Sequence, residues 1–298
     1  MSNGRCWIVY NGSLVSHKFT ELTEWLRESY AEQGVECLPL NSGSLPAVVA
    51  NGATALRQGL ERPDFALFWD KDVRLGLQLE AMGLRLFNSA GAVATCDDKS
   101  LTHITLANHG VPMPRTVVAP LVFPGMPEPD GSFLERVEGE LAYPMVVKEC
   151  FGSFGAQVYL VHNREELAAL HQRLLHTPHL YQQFVASSFG RDVRVQVVGG
   201  QAVAAVLRRS EHDFRANVTN GGHMEPFAAP DAFLRLAERC CEIIGLDFAG
   251  VDMLFGEGNE PVLCEVNSNA HFKNLYHATG VDVARLIAAH TVRVMANG

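Results

Sequence analysis

The sequence lacks any apolar run near the roughly 20 residues that a membrane-spanning helix needs, so no such helix is expected. Its seven cysteines (Cys6, Cys37, Cys96, Cys150, Cys240, Cys241, Cys264) form no CxxC pair, and its 12 histidines form no HExxH. Thioredoxin-like, zinc-ribbon and zincin chemistry go with them. No Gly-x-x-x-x-Gly-Lys-Ser/Thr string occurs, so there is no P-loop. No cysteine has a His beside it in sequence, which removes the simplest case for a nucleophilic thiol. Basic residues are in deficit, 24 against 33 acidic ones, for a net charge of -9. That balance argues against general affinity for nucleic acid, although an acidic protein can hold a basic pocket. The first residues, MSNGRCWIVYNGS, contain one Arg and a short apolar segment and do not read as a secretory signal. A cytoplasmic protein with reduced, mostly buried thiols is the expectation.

What is present is a globular composition, 47% hydrophobic and 19% charged over 298 residues, enough for two or three subdomains with their own cores. Strands and helices alternate at the start. Residues 6–10 read as a buried strand, followed by the turn Asn11-Gly12-Ser13. Residues 20–33 place Leu22, Trp25, Leu26 and Tyr30 at helical spacing, between a Thr20 cap and Gly34. Strands are expected at 35–40, 64–69 and 84–88, and helices at 47–61 and 73–82. This pattern gives a small parallel sheet of Rossmann-like α/β type. Its ligand edge is the carboxyl ends of the strands, where Asn11, Ser13, Asp70 and Lys71 lie. Asn11 and Asp70 are candidate substrate residues there.

From Thr95 the pattern changes. TCDDKSLTHITLANHGVPMPRTVV reads as a capped helix, a stop at Gly110 and a strand. Lys99 falls in the first turn, at the positive end of the helix dipole. A reach toward an anion would explain it, and a solvated surface Lys remains open. Residues 119–132 read as a Pro/Gly-rich loop and 133–141 as a short helix. Residues 143–148 then form an apolar strand that carries Lys148. A buried ammonium is rarely left without a partner. Gly152-Ser153-Phe154-Gly155-Ala156-Gln157 follows, then a strand at 158–161; lysine, glycine loop and strand in that order suit a flap laid over phosphates. A helix at 164–175 and a strand at 180–185 lead to a hairpin that turns at Gly199-Gly200. Arg194, Arg208 and Arg215 converge in this region against the acidic background and suit phosphate or carboxylate. Helices are expected at 230–244 and 281–294.

The stretch GVDMLFGEGNEPVLCEVNSNAHF, residues 250–272, is a hairpin signal. A four-residue loop at 257–260 pairs Gly256 with Pro261 and sets Asp252 opposite Glu265. Asn267, two residues on, shares their face. Val251, Met253, Phe255, Val262, Cys264 and Val266 make the apolar face. Two facing carboxylates and an amide suit Mg²⁺. Taken alone, the same face also reads as an ordinary solvated one.

The ordered set of motifs resembles the ATP-grasp enzymes, and within them the RimK-like (ribosomal protein S6 modification, α-L-glutamate ligase type) carboxylate–amine ligases. The resemblance covers residues 88–269. DDKSLTHITLANHGVPMPRT is similar to the opening of the central subdomain, and YPMVVKECFGSFGAQVYLV to its lysine strand and glycine flap. YQQFVASSFGRDVRVQVVGG is similar to the hinge and following hairpin; DFRANVTNGG and GVDMLF…PVLCEVNSNA complete the order. The resemblance implies an ATP-grasp fold of α/β (α+β) class in three parts. These are an N-terminal pre-ATP-grasp domain over 1–94, a central subdomain over 95–185 and a C-terminal subdomain over 186–298. It implies that Lys99 and Lys148 contact ATP phosphates under the flap of Ser153, Phe154 and Gly155. Gln183, Phe184 and Val185 would form the adenine hinge and Asp192 would meet the ribose. Arg215 and Asn217 would lie near the γ-phosphate and the acyl group. Arg194 and Arg208 would steady the acyl phosphate or a substrate carboxylate, and Asp252, Glu265 and Asn267 would bind Mg²⁺, with Mn²⁺ as an alternative. The chain departs from the family at Gln183, where the hinge often carries Glu. It departs again at SNAHFKNLYHATG, which lacks the usual Ser-Pro-Gly run. His271 and Lys273 are therefore read as shaping the substrate pocket.

The implied chemistry is coherent physically. Phosphoryl transfer from ATP turns a carboxylate into an acyl phosphate that an amine can attack, with release of ADP and phosphate. That step needs positioning and charge neutralisation more than a nucleophilic side chain. The expected partners are small carboxylate and amine substrates, an amino acid or peptide among them, with no nucleic acid or membrane, in a chain compatible with a homo-oligomer. The alternatives are a non-catalytic, regulatory nucleotide-binding protein on the same fold, and a phosphotransferase.

Overall fold

The computed structural model describes residues 4–13, 17–45, 47–56, 60–128, 131–153, 155–217 and 221–297. The chain begins with β1 (Arg5–Tyr10), α1 (His17–Glu32), β2 (Glu36–Asn41), β3 (Ala47–Ala50), β4 (Ala53–Leu56), β5 (Phe65–Trp69), α2 (Val73–Ala81) and β6 (Arg85–Phe87). The expected parallel sheet is present, in the order β2-β1-β5-β6. All five residues of β5 are buried, as a parallel strand covered on both faces requires. Leu22, Leu26 and Tyr30 of α1 face the core at the expected spacing.

Two expectations fail here. Residues 47–56 are not helical: β3 and β4 form an antiparallel hairpin. Its turn is Asn51-Gly52, with φ of 52° and 76°, the pair that a two-residue turn with left-handed central residues selects. The cysteines are not all reduced thiols either. Cys6 and Cys37 are direct partners in the β1–β2 register, their Cα atoms 4.6 Å apart, and are joined as a disulfide. The other five are free.

Next come α3 (Ala90–Asp97), α4 (Lys99–Leu106), β7 (Thr116–Val118), α5 (Phe133–Glu140), β8 (Met145–Glu149), β9 (Val158–Val161), α6 (Arg164–Leu174) and β10 (His179–Gln183). The helix expected from Thr95 is two helices that break at Asp98, whose carboxylate caps α4 by accepting the Ser100 and Leu101 N–H groups. The four strands form an antiparallel sheet in the order β7-β10-β8-β9.

The remainder comprises β11 (Arg191–Val198), β12 (Gln201–Arg209), β13 (His223–Pro226), α7 (Asp231–Ile244), β14 (Phe248–Phe255), β15 (Pro261–Asn267), α8 (Lys273–Thr279) and α9 (Val283–Asn297). The sheet β13-β12-β11-β14-β15 is antiparallel throughout. Phe233, Leu236, Ala237, Cys240 and Cys241 of α7 pack on Val193, Val195, Val197, Val251 and Met253. Because side chains alternate across a strand, the opposite face is left to Asp192, Arg194 and Asp252.

Asn88 joins the first sheet to the third. Fully buried, it donates to the Phe248 and Ser268 carbonyls and accepts the Asp247 and Phe248 N–H groups. All four of its hydrogen-bonding positions are used. Among the described residues, no helix is long and apolar enough to cross a membrane.

Candidate active site

The β14–β15 hairpin sets Asp252 opposite Glu265, as its sequence implies, but by a different route. The turn is one residue longer than expected, so Phe255 rather than Gly256 pairs with Pro261, and Met253 pairs with Leu263. A bulge between Asp252 and Met253 then absorbs Cys264 and restores the Asp252–Glu265 pair. An extra residue in one strand re-aims the side chains near it. Cys264 consequently leaves the apolar face, where the alternation had placed it, and Leu263 takes that place in the core.

Asp252 is buried in a network of charges. Arg194 grips it with two hydrogen bonds of 2.6 Å, and Arg208 reaches it at 2.9 Å. Arg208 in turn holds Asp192 through contacts of 2.6 and 2.8 Å. Burial alone would raise the Asp252 carboxyl, but Arg194 and Arg208 outweigh it and hold the group well below the usual carboxylate range. Burial pushes Asp192 up, against the pull of Arg208. The Asn267 amide donates to Glu265 at 3.1 Å and to Asp252 at 3.5 Å, so an N–H group now stands between the two carboxylates where a cation would lie. Two carboxylates and an amide oxygen are hard donors and fit a divalent ion. Glu265 is engaged only by the Asn267 amide, which would have to turn its oxygen inward to join a cation, whereas Asp252 shares its oxygens with the arginines.

A cavity of about 110 Å³ lies beside this network. Lys99, Lys148, Ser153, Gly155, Gln183, Phe184, Val185, Asp192, Arg215 and Asn217 all line it. Phe154 lies outside the described residues. Lys99 is the first residue of α4, and its ammonium donates to the carbonyls of Gly152 and Cys150. Burial lowers its pKa, Glu265 opposes the shift, and the nearby Lys148 and Lys71 add to it. Lys148 on β8 is buried, with Cys264 Sγ at 3.8 Å from Nζ. Neither lysine makes an ion pair among the described residues. Two buried cations without carboxylates form a site poised for an anion.

Gly152, Ser153 and Gly155 border this cavity. Arg215 donates to the Gly155 carbonyl at 2.6 Å while Asp213 holds the rest of the guanidinium. Gly155 has φ +73°, a backbone that favours glycine, and a Cβ there would stand 2.7 Å from Asn217 Oδ1, so that side chain would have to shift. Gln183 donates its N–H to the Arg115 carbonyl and accepts the Arg115 N–H on its side chain.

A second cavity, of about 460 Å³, opens on the carboxyl edge of the parallel sheet. Asn11, Asp70, His271, Lys273 and Arg194 line it. Ser153, Arg208, Asn217, Glu265 and Asn267 line both cavities. The carboxylate–amide face is thus where a lysine-rich pocket and a larger polar pocket meet.

The description RimK-like ATP-grasp domain matches residues 96–291. The chain belongs to that family. It is 33% identical over 277 residues to beta-citrylglutamate synthase B of Danio rerio, an alignment covering 88% of this chain and 67% of that protein. It is 34% identical over 230 residues to human N-acetylaspartylglutamate synthase A, covering 76% of this chain and 57% of that protein. The chain therefore spans between 57% and 67% of the length of these two relatives. An ATP-grasp RimK domain protein from Sphaerobacter thermophilus superposes with a TM-score of 0.70 at 22% identity, over 97% of this chain and 99% of that one, which shows a shared fold.

Several residues lining this RimK-like site were not anticipated. Gln182 is buried on β10 and donates to His103 Nε2 and Thr116 Oγ1, each at 2.9 Å. His103 donates its Nδ1–H to the Lys99 carbonyl at 2.9 Å, and burial together with Lys148 lowers its pKa to about 4. Burial raises the Cys264 thiol to about 11, against Lys148, so it stays protonated. Trp69, Asn269 and Asn274 join the second cavity. Asn269 meets Asp70 across 199 positions of sequence, which no local pattern encodes.

Proposed function

We propose that the chain is an ATP-dependent carboxylate–amine ligase that forms an amide through an acyl phosphate and releases ADP and phosphate. The observation that carries this reading is the meeting of two cavities at Glu265, Asn267, Arg208 and Asn217. A phosphoryl donor on the lysine side and a carboxylate on the polar side would then approach one another at that face. Lys99, Lys148 and the Gly152–Gly155 backbone suit the phosphates, and the segment from Gln183 to Val185 suits the adenine. Asp192 suits the ribose once Arg208 shares it. Asp252, Glu265 and Asn267 would hold Mg²⁺ or Mn²⁺, which supplies charge neutralisation to the transferring phosphoryl group. Arg194 and Arg208 would steady the acyl group, and Arg215 and Asn217 would close the flap against water, which otherwise hydrolyses an acyl phosphate.

The relatives' names both contain glutamate joined to a carboxylic acid, which supports L-glutamate as the amine and a small polycarboxylate as the acyl donor. His271 and Lys273 belong to the pocket for these substrates. The division at 94/95 and 185/186 is part of the proposal, since each of the three larger sheets falls within one segment. ADP release measured over pairs of carboxylates and amines, with mass spectrometry of the products, tests the reading. The expected result is ADP formation that depends on both substrates and is lost, by about 1,000-fold or more, in Glu265→Gln with the fold retained. AMP release, or ATP binding without turnover across the panel, would overturn it.

A further inference from the structure

Three carboxylates line the larger cavity: Asp97 pairs with Lys71, Glu265 belongs to the proposed metal face, and Asp70 is left over. Four cations line it. Lys71 pairs with Asp97 at 2.5 Å, Lys273 with Glu21 at 2.5 Å, Arg194 with Asp252, and Arg208 with Asp192 and Asp252. None of these pairs uses Asp70. Asp70 directly follows β5, and only 3% of the residue is exposed. Its Oδ1 is saturated by the Asn11 side chain at 3.0 Å, the Lys71 N–H at 2.6 Å and the Asp72 N–H at 3.2 Å. Its Oδ2 is buried and has no hydrogen-bond donor. A charged oxygen left that way is costly unless something else supplies the donor.

A second acceptor lies beside it. Asn269 donates its amide N–H to the Asp70 carbonyl at 2.9 Å, which fixes the orientation of the amide, because a flipped one would oppose oxygen to oxygen. Asn269 Oδ1 is therefore the outward atom, and it too is buried without a donor. One anionic and one neutral acceptor, on two residues in contact, call for a group that brings several N–H donors and a positive charge. Tyr10, Phe19 and Trp69 on the same cavity wall are compatible with a cation and unfavourable to an anion.

We infer that Asp70 and Asn269 form the recognition site for the ammonium group of the amine substrate. This rests on the ligase reading above and assigns the two halves of the larger cavity. The arginine side, next to Glu265 and Asn267, takes the carboxylate to be activated. The β5 side takes the amine in its charged form before attack. A neutral amine of the same size lacks the charge that Asp70 selects. Asn269 is two residues beyond Asn267 on the same segment, so the amine site and the metal face are held at a fixed spacing.

Asp70→Asn, which keeps the shape and removes the charge, tests the inference. Product formation with citrate as donor is measured with two nucleophiles, L-glutamate and hydroxylamine. Hydroxylamine is uncharged at neutral pH and traps the acyl phosphate as a hydroxamate without needing an ammonium site. The expected result is a KM for L-glutamate raised about 10- to 100-fold, as for loss of a charge-assisted contact. The ratio of glutamate product to hydroxamate falls by the same factor, and the KM for ATP is unchanged. Asn269→Ala, which leaves the charge in place, is expected to raise the glutamate KM by a smaller factor, about 3- to 10-fold. Glutarate, which lacks the ammonium, should bind the wild type and Asp70→Asn equally well as a competitor of glutamate. An unchanged product ratio in both variants overturns the assignment, as does a parallel loss of hydroxamate. If the wild-type protein releases no ADP with any carboxylate, the ligase reading itself fails, a result distinct from an altered ratio.

Discussion

Replacing Lys148 with Met should move stability and nucleotide affinity in opposite directions. The ammonium of Lys148 is buried, 6% exposed, and donates to the Cys264 thiol at 3.8 Å. It makes no ion pair among the described residues, and a thiol is a weak acceptor for a buried ammonium. Met has a similar length and volume and fills the site without a void. Removing the charge should stabilise the ligand-free protein by about 1 kcal/mol, an increase of roughly 2 °C in Tm for a chain of this size. The same change removes a charge-assisted contact to phosphate worth about 1.5–3 kcal/mol, so Kd for ATP should rise about 10- to 150-fold. Thermal melts with and without saturating Mg·ATP read both effects in one experiment, since ligand stabilisation follows RT ln(1 + [L]/Kd). The variant should melt higher than wild type without nucleotide, and nucleotide should add less to it. A variant that melts lower and keeps its full response to ATP would refute the reasoning, because Lys148 would then be held by something within the protein.

Gly155→Ala should cost flap closure. The left-handed backbone at φ +73° disfavours a side chain by about 1–2 kcal/mol, and the added methyl meets Asn217 at 2.7 Å, so the KM for ATP should rise about 10-fold while the melting temperature changes little; an unaltered KM would show that the flap does not seat on this loop. His103 should make stability depend on acid. Its pKa falls from 6.5 when unfolded to about 4 when folded, so the unfolded chain binds more protons between those values. Stability is full above pH 6.5 and is lost as pH falls toward 4, by up to about 3 kcal/mol from this residue. Urea midpoints at pH 7 and 4.5 should differ less in His103→Gln than in wild type, and equal differences would discount the residue.

The facing pair Asp252–Glu265 was legible in the sequence, but only because two errors cancel. A hairpin's period-2 pattern reports which residues share a face, whereas the length of its turn and the place of a bulge depend on packing. Cys264 shows the consequence, since alternation alone assigns it to the core that Leu263 occupies. Residues 47–56 were readable and were misread. Asn51-Gly52 is a strong local hairpin signal, and it decides against the helix expected over 47–61. Lys99, Lys148, the loop at Ser153 and Gly155 and the segment from Gln183 to Val185 each lie in one short run of chain, and the structure brings all of them to one cavity. The Arg194 grip on Asp252, the Arg208 grip on Asp192 and the partnership of Asp70 with Asn269 were not legible, because cross-strand and inter-sheet neighbours leave no mark on local spacing.

Asn88 sets a limit on how the chain can be cut. The matched family region begins at residue 96, eight positions after the amide that holds the start of β14 and the carbonyl of Ser268. A fragment starting there would leave two N–H groups and two carbonyls without their partner, directly behind the strand that carries Asp252 and the segment that follows Asn267. The catalytic half of the molecule is therefore incomplete by itself. Any recombination that gives this family a new N-terminal sheet must bring along a side chain able to do what one asparagine does here, or lose the alignment of the face on which the chemistry depends.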